Sequence, residues 1–245
     1  KVAEVARAIK SNGVCVRVGS NSGSVEKEIL AKYGKNEISL AESALKNVYS
    51  LEKYGVSDIV ISTKASSVPL TVKAYRYLKS KTDYPLHIGV TEAGTTASGI
   101  VKSAVGIGSL LLNGIGDTIR VSLTDDPLNE VYAAKNILKA LEIEGQCGMN
   151  IVSCPTCGRT QIDLIGLVNQ VDAALKDCKK PITVAVMGCV VNGPGEAREA
   201  DVGIAGGISE GLLFKRGEII KKLPEGELVN ALIEKFCIML QRGFP

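Results

Sequence analysis

The sequence predicts an α/β protein in two parts, residues 1–145 and residues 146–245. Three observations carry this expectation. Short aliphatic runs recur at 14–19, 58–64, 85–90 and 118–123, each between helical patterns. Such alternation builds a parallel sheet, either doubly wound or closed as a (β/α)8 barrel. Hydrophobic residues make up 45% of the chain, yet aromatics only 4% and Trp is absent. The core must therefore rest on Val, Ile, Leu and Ala, which suits parallel strands buried on both faces. Finally, Gly145 and Gly148 bracket a hinge, beyond which a smaller α/β pattern begins.

In chain order, Lys1–Ala6 already reads as helix. Ser39 with Glu42 forms a capping-box pattern ahead of Leu40, Ala44, Leu45, Val48 and Leu51, and Gly55 supplies the stop. Ile100, Ala104, Ile107 and Leu111 mark a helix between Ser98 and Asn113. Asp126-Pro127 reads as an N-cap and first-turn proline, opening a helix with Leu128, Val131, Leu138 and Leu141 on one side. The order is one helix followed by four strand–helix units. A closed barrel needs eight, so the first part is expected to be the C-terminal part of a TIM-type barrel within a longer polypeptide. After the hinge, 149–153 and 182–187 read as strands, 163–175 as a helix, 212–223 as a hairpin around Gly217, and 225–241 as a closing helix.

The net charge of +3 and the absence of a long basic run argue against a nucleic-acid partner. No apolar stretch is long enough to span a bilayer, and no signal or transit pattern precedes the first helix. Seven cysteines without a secretory signal point to metal or reactive thiols in a reducing compartment rather than to a disulfide framework. A cytoplasmic protein is expected.

The strand ends carry the chemistry. Arg17 and Asn21 close the first strand, Lys64 the second, and Arg120 and Ser122 the fourth. His87 lies within the third, with Thr91 and Glu92 just past its end. In a barrel these positions converge on the C-terminal mouth. Two Arg, a Lys, Asn and Ser there make a site for a phosphorylated anion, since guanidinium forks match phosphate oxygens. Taken singly, each has a plainer reading: a strand-end cation as a solvated charge, His87 as a hydrogen-bonded core residue, Glu92 as a helix cap.

In the second part, Cys154-Pro-Thr-Cys157 is followed by Gly188-Cys189 and, seven residues on, by Glu196. No fourth cysteine or histidine is placed to close a structural zinc site. Cys178 reads as incidental, Cys147 is close to the first pair but separated from it by residues 148–153, and Cys15 and Cys237 read as small core residues. Three thiolates suit an iron–sulfur cube whose last iron takes a non-cysteine ligand, and the loop through Asn192 can return Glu196 to that corner. Zinc and ordinary cysteines remain open alternatives on spacing alone.

Several long motifs resemble one enzyme family. They are Cys-Pro-Thr-Cys-Gly-Arg (154–159), Gly-Cys-Val-Val-Asn-Gly-Pro-Gly-Glu-Ala (188–197), Arg-Val-Gly-Ser-Asn-Ser-Gly-Ser-Val-Glu-Lys (17–27), His-Ile-Gly-Val-Thr-Glu-Ala-Gly (87–94) and Gly-Ile-Gly-Asp-Thr-Ile-Arg-Val-Ser-Leu (114–123). The family is the 4-hydroxy-3-methylbut-2-en-1-yl diphosphate synthases, and the similarity runs from about residue 14 to about residue 222. The resemblance implies a bacterial enzyme of the methylerythritol phosphate route to isoprenoids. It would reductively open 2-C-methyl-D-erythritol 2,4-cyclodiphosphate with two electrons passed singly through a [4Fe-4S] cluster from flavodoxin or ferredoxin. By motif, Cys154, Cys157, Cys189 and Glu196 would hold the cluster. Arg17, Asn21, Lys64, Arg120 and Ser122 would hold the diphosphate, and Thr91 with Glu92 would form the active-site pair, Glu92 as proton donor. His87 and Asn192 would contact substrate. A homodimer is implied, the cluster domain of one subunit covering the barrel mouth of its partner. The lysine motif departs from the family at Ser67, where Asp is frequent.

Two rivals remain. One is a sugar-phosphate aldolase barrel using Lys64 as a Schiff-base nucleophile, with an appended zinc module. The other is a non-enzymatic electron carrier or cluster scaffold, which predicts no affinity for diphosphates.

Overall fold

The computed structural model describes residues 1–143, 148–176, 178, 180–190, 195 and 197–242. The chain divides into two compact units, Lys1–Ile143 and Glu144–Pro245.

In the first unit, α1 (Val2–Asn12) precedes β1 (Val16–Asn21), α2 (Lys27–Tyr33), α3 (Glu37–Glu52), β2 (Ile59–Lys64) and α4 (Val68–Lys79). Then come β3 (His87–Ile88), α5 (Thr96–Leu111), β4 (Thr118–Ile119) and α6 (Pro127–Ala140). Strands β1 and β2 pair in parallel, Arg17 opposite Val60 and Asn21 opposite Lys64. Strands β3 and β4 also pair in parallel, His87 opposite Thr118. A single bridge, Ile61 to Leu86, joins the two pairs. The helix-facing core is aliphatic, with Val18, Ile59, Ile61, Ile88 and Val121 against Leu45, Val48, Leu78, Ile107 and Leu110.

The ladder between β2 and β3 opens for a specific reason. Ile61 N–H bonds Pro85 O at 2.9 Å, and the next bond would run from Thr63 N–H to His87 O. The hydroxyl of Tyr75, a fully buried residue of α4, takes that place. It accepts from Thr63 N–H at 3.1 Å and donates to His87 O at 2.6 Å. Both backbone groups stay satisfied while the strands stand apart.

Two local expectations, for α3 and α6, need correction. Helix α3 is capped by Asn36, whose side chain accepts from Ile38 and Ser39 N–H while Ser39 Oγ bonds back to Asn36. Ser39 is thus the third helical residue, because Asn36 already satisfies the orphan amides. In α6 the Asp126–Pro127 start holds, but the buried side is Ala133 and Ile137, whereas Leu128 and Val131 are exposed. In α5 the inward stripe is Gly99, Ser103, Ile107 and Leu110, with Ile100 exposed. Small residues take the contact positions there: a Cβ on Gly106 would stand 2.6 Å from Val90 Cγ2.

The second unit is a five-stranded sheet in the order β5 (Asn150–Ser153), β6 (Thr183–Met187), β7 (Val202–Gly206), β8 (Glu210–Lys215), β9 (Glu218–Pro224). The first three strands run parallel and the last three antiparallel. Strand β7 carries little sequence signal, three of its five residues being glycine or alanine. Alternate residues of β6 serve opposite faces, as the pleat requires. Val184 and Val186 meet α7 (Leu164–Leu175) and the closing helix α8 (Leu228–Arg242). Ala185 and Met187 meet Ala197, Ala200 and Phe214. Cys15 and Cys237 are exposed rather than buried, whereas Cys178 lies half-buried against the core. Among the described residues no helix is long and apolar enough to cross a membrane.

Candidate functional site

In the first unit, strand register puts the candidate residues on one sheet face. Arg17, Gly19 and Asn21 alternate with the buried Val18 and Ser20. Their partners across the ladder are Val60, Ser62 and Lys64. The bridge from Ile61 to Leu86 and the pairing of His87 with Thr118 carry the same face on through His87, Gly89, Thr118 and Arg120. Gly89 is the crossing point. A Cβ there would collide with Arg120 O and lie 3.6 Å from Lys64 Cε, so the absence of a side chain lets strand and lysine approach.

Lys64 is 6% exposed and His87 8%. Burial, then the charges of Arg120 and Arg17, lowers the Lys64 ammonium from its ordinary 10.5 to about 8. Burial, then Lys64, Arg17 and Arg120, lowers His87 to about 4. A neutral imidazole therefore sits among three cationic side chains. Its Nδ1 is 2.8 Å from Thr118 Oγ1, while Nε2 is buried without a hydrogen-bond partner among the described residues. Concentrated positive potential, a buried unpaired ring nitrogen and two exposed guanidinium groups are chemically complementary to an anion.

The rim is pinned separately. Ser22 N–H bonds Lys64 O at 3.1 Å, and Asn21 N–H bonds Ser24 Oγ at 3.1 Å. Thr91 N–H reaches Ala65 O at 3.3 Å. Glu92 is exposed and holds φ 51°, a left-handed backbone in a non-glycine residue, which costs energy and clusters at functional loops. Ser122 is half-buried beyond Arg120.

In the second unit, the parallel pairing of β5 with β6 sets Ser153 opposite Val186. Both strands therefore deliver their following segments to the same edge, carrying Cys154 and Cys157 from one and Cys189 from the other. The segments are stitched together there. Gly188 N–H points at Cys154 Sγ at 3.2 Å, Gln161 N–H bonds Gly188 O at 3.3 Å, and Thr160 N–H bonds Cys157 O at 3.0 Å. The Cys157 thiol is held below its usual range by the Arg159 backbone N–H first, with the Thr160 hydroxyl and the Arg159 charge adding to it. All three cysteines are free thiols. Donors aimed at sulfur favour the thiolate, the form that ligates iron or zinc, so this donor set fits a thiolate-bound metal group. Among the described residues no three His, Cys, Asp or Glu side chains stand close enough to share a single metal ion. Glu196 and Asn192, like Cys147, lie outside the described residues. A cavity of about 510 Å³ opens beside Cys189, bordered by Arg159, Gln161, Val190, Gly207 and Ile208.

Residues 1–135 match the GcpE TIM-barrel domain and residues 150–237 the GcpE protein C-terminal domain. The chain belongs to the GcpE family. Among curated relatives, a 4-hydroxy-3-methylbut-2-en-1-yl diphosphate synthase (flavodoxin) of Geobacter sulfurreducens is 59% identical over 95% of this chain and 66% of its own length. Proteins of the same name from Caldanaerobacter subterraneus and Clostridium perfringens are 56% and 57% identical, over 98% and 96% of this chain and 68% and 67% of their own lengths. This GcpE-family chain thus spans about two thirds of the length of these relatives.

Tyr75, Gly89, Thr118 and Thr160 were not singled out from the sequence. Gly89 carried a signal, being a glycine inside a strand pattern flanked by His87 and Thr91. Tyr75 carried none, because nothing in a helical tyrosine says which strand gap its hydroxyl will enter.

Proposed function

We propose that this chain carries the anion site and the cluster ligands of a 4-hydroxy-3-methylbut-2-en-1-yl diphosphate synthase. The reaction is the reductive ring opening of 2-C-methyl-D-erythritol 2,4-cyclodiphosphate in the methylerythritol phosphate route. The observation that carries the reading is the gathering of Arg17, Lys64, His87 and Arg120 on one sheet face, in a chain whose relatives act under that name.

Arg17 and Arg120 clamp the diphosphate oxygens, and Lys64 becomes fully protonated against them. His87 offers Nε2–H to an oxygen while Thr118 donates to Nδ1. Asn21, Ser122 and Asn192 orient the substrate through hydrogen bonds. Breaking a carbon–oxygen bond leaves an alkoxide or hydroxide that needs a proton, and Glu92, beside Thr91 on its strained turn, supplies it. Cys154, Cys157, Cys189 and Glu196 would hold a [4Fe-4S] cluster, whose chemistry when bound would be one-electron transfer from a flavodoxin or ferredoxin. As a carboxylate, Glu196 would be a weaker ligand for iron than the three thiolates. The domain at 1–145 is then the barrel substrate domain and that at 146–245 the iron–sulfur domain, in a cytoplasmic homodimer.

The test is anaerobic reconstitution with iron and sulfide, followed by iron and sulfide analysis, spectroscopy and turnover of the cyclodiphosphate with reduced flavodoxin. A colourless protein with stoichiometric zinc sinks the cluster assignment. The lowered Lys64 value also suits a Schiff-base aldolase. Borohydride trapping of a sugar phosphate on Lys64 would favour that second reading.

A further inference from the structure

We infer that Thr160 is a positioning residue for the cluster, holding Cys157 in place and donating a hydrogen bond to its sulfur. This rests on the iron–sulfur reading of Cys154, Cys157 and Cys189.

Thr160 occupies a node that none of the cysteine spacings reveals. Its Oγ1 accepts from Cys157 N–H at 3.2 Å, and its own N–H bonds Cys157 O at 3.0 Å. The turn carrying Cys157 is therefore closed from both ends by one residue. A hydroxyl that accepts an amide proton keeps its own proton to donate, and the amide bound here belongs to the same residue as the sulfur that would ligate iron. On its other side Thr160 rests against Gly188. A Cβ added at Gly188 would come 2.9 Å from Thr160 Oγ1 and 3.1 Å from its Cγ2. Gly188 in turn sends its N–H to Cys154 Sγ and precedes Cys189. One side chain thus touches the turn of Cys157 and the residue that links Cys154 with Cys189.

Two consequences separate this role from a purely structural one. Hydrogen bonds to cluster sulfurs raise the reduction potential by offsetting charge on the reduced state. Partners that orient metal ligands typically change metal retention by about 10–100-fold when removed. Valine matches the shape of threonine without the hydroxyl, and serine keeps the hydroxyl without the methyl.

The experiment compares the full chain with Thr160→Val and Thr160→Ser after anaerobic reconstitution. It reads iron release to a chelator, the cluster's midpoint potential, and the thermal midpoint of the unloaded protein. Thr160→Val is expected to release iron about tenfold faster or more and to shift the potential to a more negative value. Thr160→Ser should restore both, and the unloaded proteins should melt alike. Gly188→Ala, which presses on Thr160, should reproduce the Thr160→Val iron release. Equal release and equal potential in wild type and Thr160→Val overturn the inference while leaving the cluster reading intact. Failure of Thr160→Ser to restore either quantity overturns it also. A wild-type chain that takes up no cluster overturns both.

Discussion

Replacing Lys64 with methionine should stabilise the free protein while destroying its affinity for a diphosphate. Lys64 is almost fully buried, yet it faces the charges of Arg120 and Arg17. Its ammonium is held at about 8 against an ordinary 10.5. That gap of about 2.5, at about 1.4 kcal/mol each, corresponds to at most about 3.5 kcal/mol of lost stability. Water reaching the open end of the site, where Arg17 and Arg120 are exposed, screens part of it, so about 1–2 kcal/mol is expected. The sign follows from the direction of the shift. A lysine whose folded value lies below its unfolded one penalises the fold fully below the folded value, about 8, and the penalty disappears as pH rises toward 10.5. Methionine keeps the stem without the charge. Urea unfolding followed by circular dichroism should therefore show K64M more stable than wild type near pH 7, by about 1–2 kcal/mol, with the advantage fading toward about pH 10. Pyrophosphate should stabilise wild type but not K64M near pH 7. Equal stabilities near pH 7, or a difference independent of pH, would refute the reasoning.

Tyr75→Phe should cost about 2–5 kcal/mol in the same unfolding assay, since two buried backbone groups lose their partner. The Thr63 amide should exchange faster with it, and a loss below about 0.5 kcal/mol would mean that the strands close and bond directly. Gly89→Ala puts a methyl into the Arg120 carbonyl and should cost about 1–3 kcal/mol. It should also weaken pyrophosphate binding, read by calorimetry; unchanged affinity would show that the approach of Lys64 to Arg120 does not shape the site.

The sequence by itself determined the α/β alternation, the Asp126–Pro127 helix start, the strand-end cations and the cysteine motifs. Each is written locally, in periodicity, capping chemistry or spacing, which a linear chain can display. Tertiary structure alone decided which residues share a face and what separates the strands. The parallel register sets Asn21 beside Lys64 and carries His87 onto the face of Arg120. The Tyr75 hydroxyl takes the place of a ladder bond, and Gly89 leaves the space through which Lys64 passes. It also decided that α6 buries Ala133 and Ile137 rather than Leu128 and Val131. These outcomes depend on contacts between segments distant in the chain, where one residue's meaning is set by what the sheet brings against it. Lys64 shows this most plainly. In sequence it is one more strand-end lysine, and only burial, with the neighbouring charges, moves its proton affinity toward neutrality.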